Sequence, residues 1–165
     1  MAGQFTKLSD RLHLGNAEHC RQFNPRIPTL HIQSPTEAFC GHGQHDLVHS
    51  EHGSATFVDK ANVVLIWDEY KQDLTHAMLD HARVWFESHA PNPVFIHCAA
   101  GLHRSTTFSI AMLMVEGLEF EDAIAKLCKG MARYQFPYPP FLEGDDLRTV
   151  RSWIDSVSER ERQLE

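Results

Sequence analysis

The chain has 165 residues, 42% of them hydrophobic, enough for one globular domain with a substantial buried core. Its formal charge of −7 disfavours nucleic acid or an anionic membrane surface as the main partner, while a local site can still oppose that sign. No apolar run approaches the length of a membrane span, and the first residues lack a basic-then-apolar leader pattern.

Four cysteines, at positions 20, 40, 98 and 128, show no tight disulfide or zinc spacing. The expectation is therefore a reduced cytoplasmic protein whose Cys20, Cys40 and Cys128 are ordinary thiols, although a mature exported chain reads alike. No repeat or low-complexity linker divides the sequence. A single domain is expected, with a core of about residues 8–157.

After a polar start, Arg11-Leu12-His13-Leu14-Gly15-Asn16 reads as a short strand ending in a turn, and 17–23 as a short helix. Ile27 to Ile32 suits a second strand, with Pro28 at its beginning or on an edge. Periodicity then fails over 33–54, where Gly41, Gly43 and Gly53 interrupt Cys40, His42, His45, Asp46, His49 and His52. His45/His49 and His49/His52 are spaced for one helical face, but no known zinc spacing is present and twelve histidines are scattered over the chain. A polar, histidine-rich surface loop is expected there, not a metal site.

Ala55 to Asp59 and Val63 to Trp67 read as further strands, the second apolar enough to be central. A helix is predicted at about 73–89, with Leu74, Met78, Ala82 and Trp85 as its buried stripe and Asp73 as its N-cap. Pro93-Val94-Phe95-Ile96-His97 is a buried strand, and Phe108 to Val115 an almost wholly apolar helix.

Between that strand and helix lie Cys98-Ala99-Ala100-Gly101-Leu102-His103-Arg104-Ser105. A tight loop running into a helix N-terminus turns N–H groups and the helix dipole towards an anion. Arg104 opposes the dipole at that position, which favours an anion-binding role over a surface cation, and its planar fork suits bidentate contact with phosphate. The same field favours Cys98 as a thiolate nucleophile. An oxyanion cradle with a nucleophile at its base is a covalent phosphoryl-transfer site. Such a reaction also needs an acid to protonate the departing oxygen. Asp68, in a loop after an apolar strand, is the candidate, with Asp59 and Glu69 its nearest competitors.

Downstream, Glu119 to Leu127 reads as a helix with acidic residues in its first turn and Gly130 near its end. Met131 to Pro140 is a proline-containing loop. A last amphipathic helix carries Leu147, Val150, Trp153, Ile154 and Val157 on one face, and the tail from Glu159 is expected to fray.

His97-Cys98, five residues with Gly101 among them, then Arg104-Ser105 resembles the signature loop of the cysteine-based protein tyrosine phosphatases, above all the small dual-specificity phosphatases. The resemblance covers about residues 55–157 well and the first third poorly. It implies an α/β fold: a central, mostly parallel sheet of about five strands flanked by helices, with the phosphate-binding loop between a central strand and a buried helix. It implies Cys98 as nucleophile, Arg104 as phosphate ligand, Asp68 as acid and then base, and Ser105 as the group that helps the cysteine leave. Ala99, Ala100, Gly101, Leu102, His103 and Arg104 would bind the phosphate, and His97 would support the loop. In that family the acid is followed five and six residues on by a small polar residue and leucine, matched here by Asp73-Leu74. No metal or other cofactor is implied.

The implied substrate is a phosphorylated protein or a small phosphomonoester, phosphotyrosine with or without phosphoserine and phosphothreonine. Lipid-directed relatives often carry lysines inside the loop, and this one has none. His103 replaces a small residue common there and Thr106 a frequent proline or glycine, so the pocket rim differs. A phosphate-binding module without turnover and a rhodanese-type sulfurtransferase are the rival classes; neither nucleic acid nor membrane is an expected partner.

Overall fold

The computed structural model describes residues 6–23, 27–34, 54–57, 62–68, 73–99, 103–133, 140 and 142–164. The readings made for the histidine-rich stretch at 35–53, for Asp59 and Glu69, and for Ala100, Gly101 and Leu102 lie outside the described residues.

Among the described residues six strands form one sheet: β1 (Thr6–Lys7), β2 (Leu12–Gly15), β3 (Thr29–Gln33), β4 (Ser54–Phe57), β5 (Asn62–Ile66) and β6 (Val94–His97), in the order β1-β2-β6-β3-β5-β4. The inner four are parallel neighbours, while β1 and β4 pair antiparallel at the edges. The mostly parallel α/β sheet is thus as expected. The added strand is β1, whose two residues are too short to show any period.

Among the described residues five helices accompany the sheet: α1 (Ala17–Phe23), α2 (His76–Ser88), α3 (Arg104–Val115), α4 (Phe120–Arg133) and α5 (Gly144–Gln163). Because side chains alternate along a strand, the two sheet faces differ. On one, Leu12, Leu14, Leu30, Ile32, Leu65 and Ile96 join Met78, Trp85, Phe108 and Trp153 in one apolar core. The opposite face carries His31, Phe95 and His97, equally buried, with His31 and His97 side by side in the β3–β6 register. Helix α3 is buried from Arg104 to Leu113 and packs against α2, α4 and α5, which is why its sequence is apolar nearly all round. Gly117, with φ +108°, turns the chain after it. No helix among the described residues is long and apolar enough to cross a membrane.

Three local expectations change. Thr75, not Asp73, caps α2, its Oγ1 accepting from the Met78 N–H at 3.2 Å. Leu74 is buried just before it, and that anchor sets where the helix begins. Gly130 does not end α4, which runs to Arg133. A Cβ at Gly130 would sit 2.9 Å from Leu8 Cδ2 and 3.0 Å from Thr6 Cγ2, so the glycine lets α4 lie close against the start of the chain. Helix α5 continues to Gln163 instead of fraying from Glu159, with Arg160 paired to Asp80 at 3.3 Å and Glu161 to Arg83, both on α2.

Candidate active site

Strands β5 and β6 are parallel, so Asp68 and Cys98 leave the sheet at the same, carboxyl-terminal edge. Ligands of open α/β sheets bind in the crevice outside that edge. Between His97, the last residue of β6, and Arg104, the first of α3, the chain has only six residues in which to turn. Cys98 is a free thiol, 3% exposed, with Sγ 3.2 Å from the Ser105 hydroxyl. Arg104 is 6% exposed at the dipole's positive end, a position that disfavours a cation unless an anion joins it.

The described ends of the loop are tied to three helices. Ala17 N–H at the start of α1 donates to the Ala99 carbonyl at 3.2 Å. The hydroxyls of Thr106 and Thr107 both donate to the His103 carbonyl at 2.8 Å, fastening the loop to α3. The His103 ring reaches α5, its Nε2 lying 2.7 Å from Asp146 Oδ2. The same ring packs on Trp67, with centroids 5.4 Å apart, and Trp67 also meets Phe108 at 5.9 Å. Trp67 N–H donates to the Gln33 carbonyl at 3.0 Å, continuing the β3–β5 pairing by one residue. Asp68 therefore follows directly on a side chain that touches the cysteine loop, and it is half-buried.

Beneath the loop, His97 is fully buried and stacks on Phe95, centroids 5.7 Å apart. Its Nδ1 faces the Cys98 carbonyl at 3.3 Å and its Nε2 meets His31 Nδ1 at 2.7 Å. His31 Nε2 in turn meets Asn62 Oδ1 at 2.8 Å. A polar row thus crosses β6, β3 and β5 under the strand ends. The expectation that Cys20 is an ordinary thiol is corrected: Cys20 is disulfide-bonded, while Cys98 and Cys128 are free. Sequence spacing carries no distances, so it gave no sign of this.

Of the residues singled out from sequence, Cys98, Arg104, Ser105, His97, Ala99, His103 and Asp68 gather at this edge. Sequence reasoning missed Asp146, which reads as one of two ordinary acids in the first turn of α5; only its 8% exposure distinguishes it. It also missed His31 and Asn62. The sequence hid His31: Thr29, His31 and Gln33 alternate with Leu30 and Ile32, which reads as a strand with one solvated side, and only the structure shows all five buried.

No family model matches the chain, and no curated protein matches it. Solved structures do. PTPMT1 in complex with PI(5)P superposes with a TM-score of 0.66 at 14% identity, covering 95% of this chain and 98% of that one. The human tyrosine phosphatase-like serine/threonine/tyrosine-interacting protein gives 0.65 at 16% identity, over 93% and 97%. Human DUSP28 gives 0.63 at 14% identity, over 93% and 95%. The chain has the fold of the small cysteine-based phosphatases.

Proposed function

We propose that the protein is a phosphatase that hydrolyses phosphate monoesters through a cysteinyl-phosphate intermediate, acting on phosphotyrosine of proteins, with or without phosphoserine and phosphothreonine. The observation that carries this reading is the free, buried Cys98 at the end of a central parallel strand, 3.2 Å from Ser105 Oγ and one short loop before a buried Arg104.

In the first step Cys98 Sγ attacks phosphorus in line and the ester oxygen leaves with a proton from Asp68. Arg104 and the N–H groups of residues 99–103 hold the equatorial oxygens. In the second step Asp68, now ionised, takes a proton from water, which attacks the cysteinyl phosphate. Phosphate departs, and the Ser105 hydroxyl donates to the released thiolate. Beside the loop, a cleft of about 490 Å³ opens between the beginnings of α2 and α5, lined by Asp73, His76, Asp145, Asp146 and Arg148, with Asp145 paired to Arg148 and Asp146 to His103.

The test is hydrolysis of a small aryl phosphate by wild type, Cys98→Ser and Asp68→Asn across pH. Activity should vanish in Cys98→Ser; in Asp68→Asn it should fall by about 10²–10⁴ and lose the high-pH limb of a bell-shaped profile. Full activity in Cys98→Ser would rule out the covalent route. An inactive wild type that binds phosphotyrosine peptides would make the protein a binding module, and sulfur transfer from thiosulfate to cyanide would make it a sulfurtransferase.

A further inference from the structure

The polar sheet face holds a group of donors that the proposed hydrolysis does not use in full. Cys20 on α1, His31 on β3 and His97 on β6 are 1%, 0% and 0% exposed, and their Sγ, Nδ1 and Nε2 atoms all lie within 4.8 Å of one another. We infer that the reduced chain binds one zinc ion at Cys20 Sγ, His31 Nδ1 and His97 Nε2, a structural site under the cysteine loop.

Two acceptors orient the rings. Asn62 Oδ1, 2.8 Å from His31 Nε2, calls for a proton on that nitrogen and leaves the Nδ1 lone pair pointing inward. The Cys98 carbonyl, 3.3 Å from His97 Nδ1, does the same for His97 and turns the Nε2 lone pair inward. Those two nitrogens then face each other at 2.7 Å, an arrangement that calls for a proton or a metal cation between them. Outer carbonyl partners that fix the tautomer are also what zinc-bound histidines have.

The third donor selects the metal. Cys20 Sγ lies 3.7 Å from His31 Nδ1, close to the ~3.5 Å between sulfur and nitrogen around a tetrahedral zinc with bonds of about 2.3 and 2.0 Å. The two nitrogens must part by only about 0.6 Å to reach tetrahedral spacing, a small rotation of either ring. A thiolate with two imidazoles suits zinc and not magnesium or calcium, and water completes the four.

Cys20 is disulfide-bonded in this structure, and a disulfide sulfur has no negative charge to offer. The site therefore belongs to the reduced form. A phosphine opens the disulfide, taking up the oxygen of one water as phosphine oxide and leaving two thiols; zinc then displaces the Cys20 proton to solvent.

The full chain, reduced with a phosphine and freed of metal by a chelator, is titrated with Co²⁺ and then Zn²⁺. One equivalent of cobalt should produce a thiolate-to-cobalt charge-transfer band and intense tetrahedral d–d bands, both displaced by zinc. The band should vanish in Cys20→Ser, persist in Cys98→Ser and in a His45→Ala/His49→Ala/His52→Ala triple variant, and be absent from the oxidised chain. Asn62→Ala should weaken binding by about 10–100-fold, the range for outer partners of a ligating histidine. Because Cys20 is buried and its replacement can impair folding, zinc protection of Cys20 from alkylation is mapped by mass spectrometry in wild type, with Cys128 as the unprotected control. A band that survives in Cys20→Ser, or no band and no protection in the reduced wild type, would overturn the site. Phosphatase activity does not enter the readout.

Discussion

His103 Nε2 and Asp146 Oδ2 stand 2.7 Å apart across 43 residues of sequence, joining the cysteine loop to the first turn of α5. His103 is held again by Trp67, so one ring connects the loop, the strand end that carries Asp68 and the last helix. Removing Asp146 leaves the ring without this anchor while the threonine bonds to the His103 carbonyl remain. Asp146→Ala should therefore lower stability by about 1–3 kcal/mol. It should also lower kcat/KM on an aryl phosphate by roughly tenfold, with Asp146→Asn milder. Urea unfolding and steady-state kinetics on the same preparations check this. Unchanged kinetics at reduced stability would make the pair purely structural.

The Ser105 hydroxyl lies 3.2 Å from Cys98 Sγ, and in the proposed mechanism it acts when the thiolate leaves phosphorus, after the ester bond is broken. Ser105→Ala should lower kcat by about tenfold or more, the scale of one hydrogen bond to a charged group, and leave kcat/KM nearly unchanged. Rapid mixing should then show a burst of the released phenol near one equivalent. A parallel fall in kcat/KM without a burst would assign Ser105 to the first step.

Gly15 ends β2 where α1 packs down onto the sheet. A Cβ there would lie 2.6 Å from His19 Nδ1 and 2.8 Å from Phe95 Cζ. His19 Nδ1 also accepts from the Asn16 N–H at 3.0 Å, so the ring cannot swing aside without breaking that bond. Gly15→Ala should cost about 1–3 kcal/mol by overpacking, read as a lower urea midpoint at constant slope.

Burial lowers the pKa of His13 below its ordinary 6.5, assisted weakly by Lys7, while its bonds to the Val94 and Arg11 carbonyls oppose the shift. Well above pH 6.5 the ring is neutral in both states and contributes nothing to pH dependence. Below it the unfolded chain takes up the proton first, so stability falls with pH until the folded value is reached. His13→Gln should flatten this part of the acid-side loss. Urea midpoints at about pH 5 and about pH 8 in both proteins measure it: the variant should show the smaller difference.

Much of the architecture was readable along the chain because its signals are local. The continuous apolar run at Val63–Trp67 means a strand buried on both faces, and the all-round apolar helix after Ser105 means a central one; both are observed. Element ends were less legible. Asp73 and Thr75 are both good capping residues, and Gly130 is a good stop signal; which of these acts depends on what Leu74 and the Gly130 backbone pack against.

The candidate site divides along the same line. The cysteine, arginine and hydroxyl lie within eight consecutive residues, so the proposed chemistry could be read from Cys98 to Ser105 without a fold. The sequence by itself also determined where most strands and helices lie, because hydrophobic period and strand length are properties of short segments, while the parallel order of the sheet came only through the resemblance of the Cys98–Ser105 loop. Only the tertiary structure decided that Asp146 holds His103, that Trp67, next to Asp68, packs on His103, and that Cys20, His31 and His97 converge beneath the loop. Those partners lie tens of residues apart on separate elements, and each alone resembles an ordinary surface acid, core aromatic or scattered histidine. Their meeting is set by strand order and helix packing, which no single segment encodes.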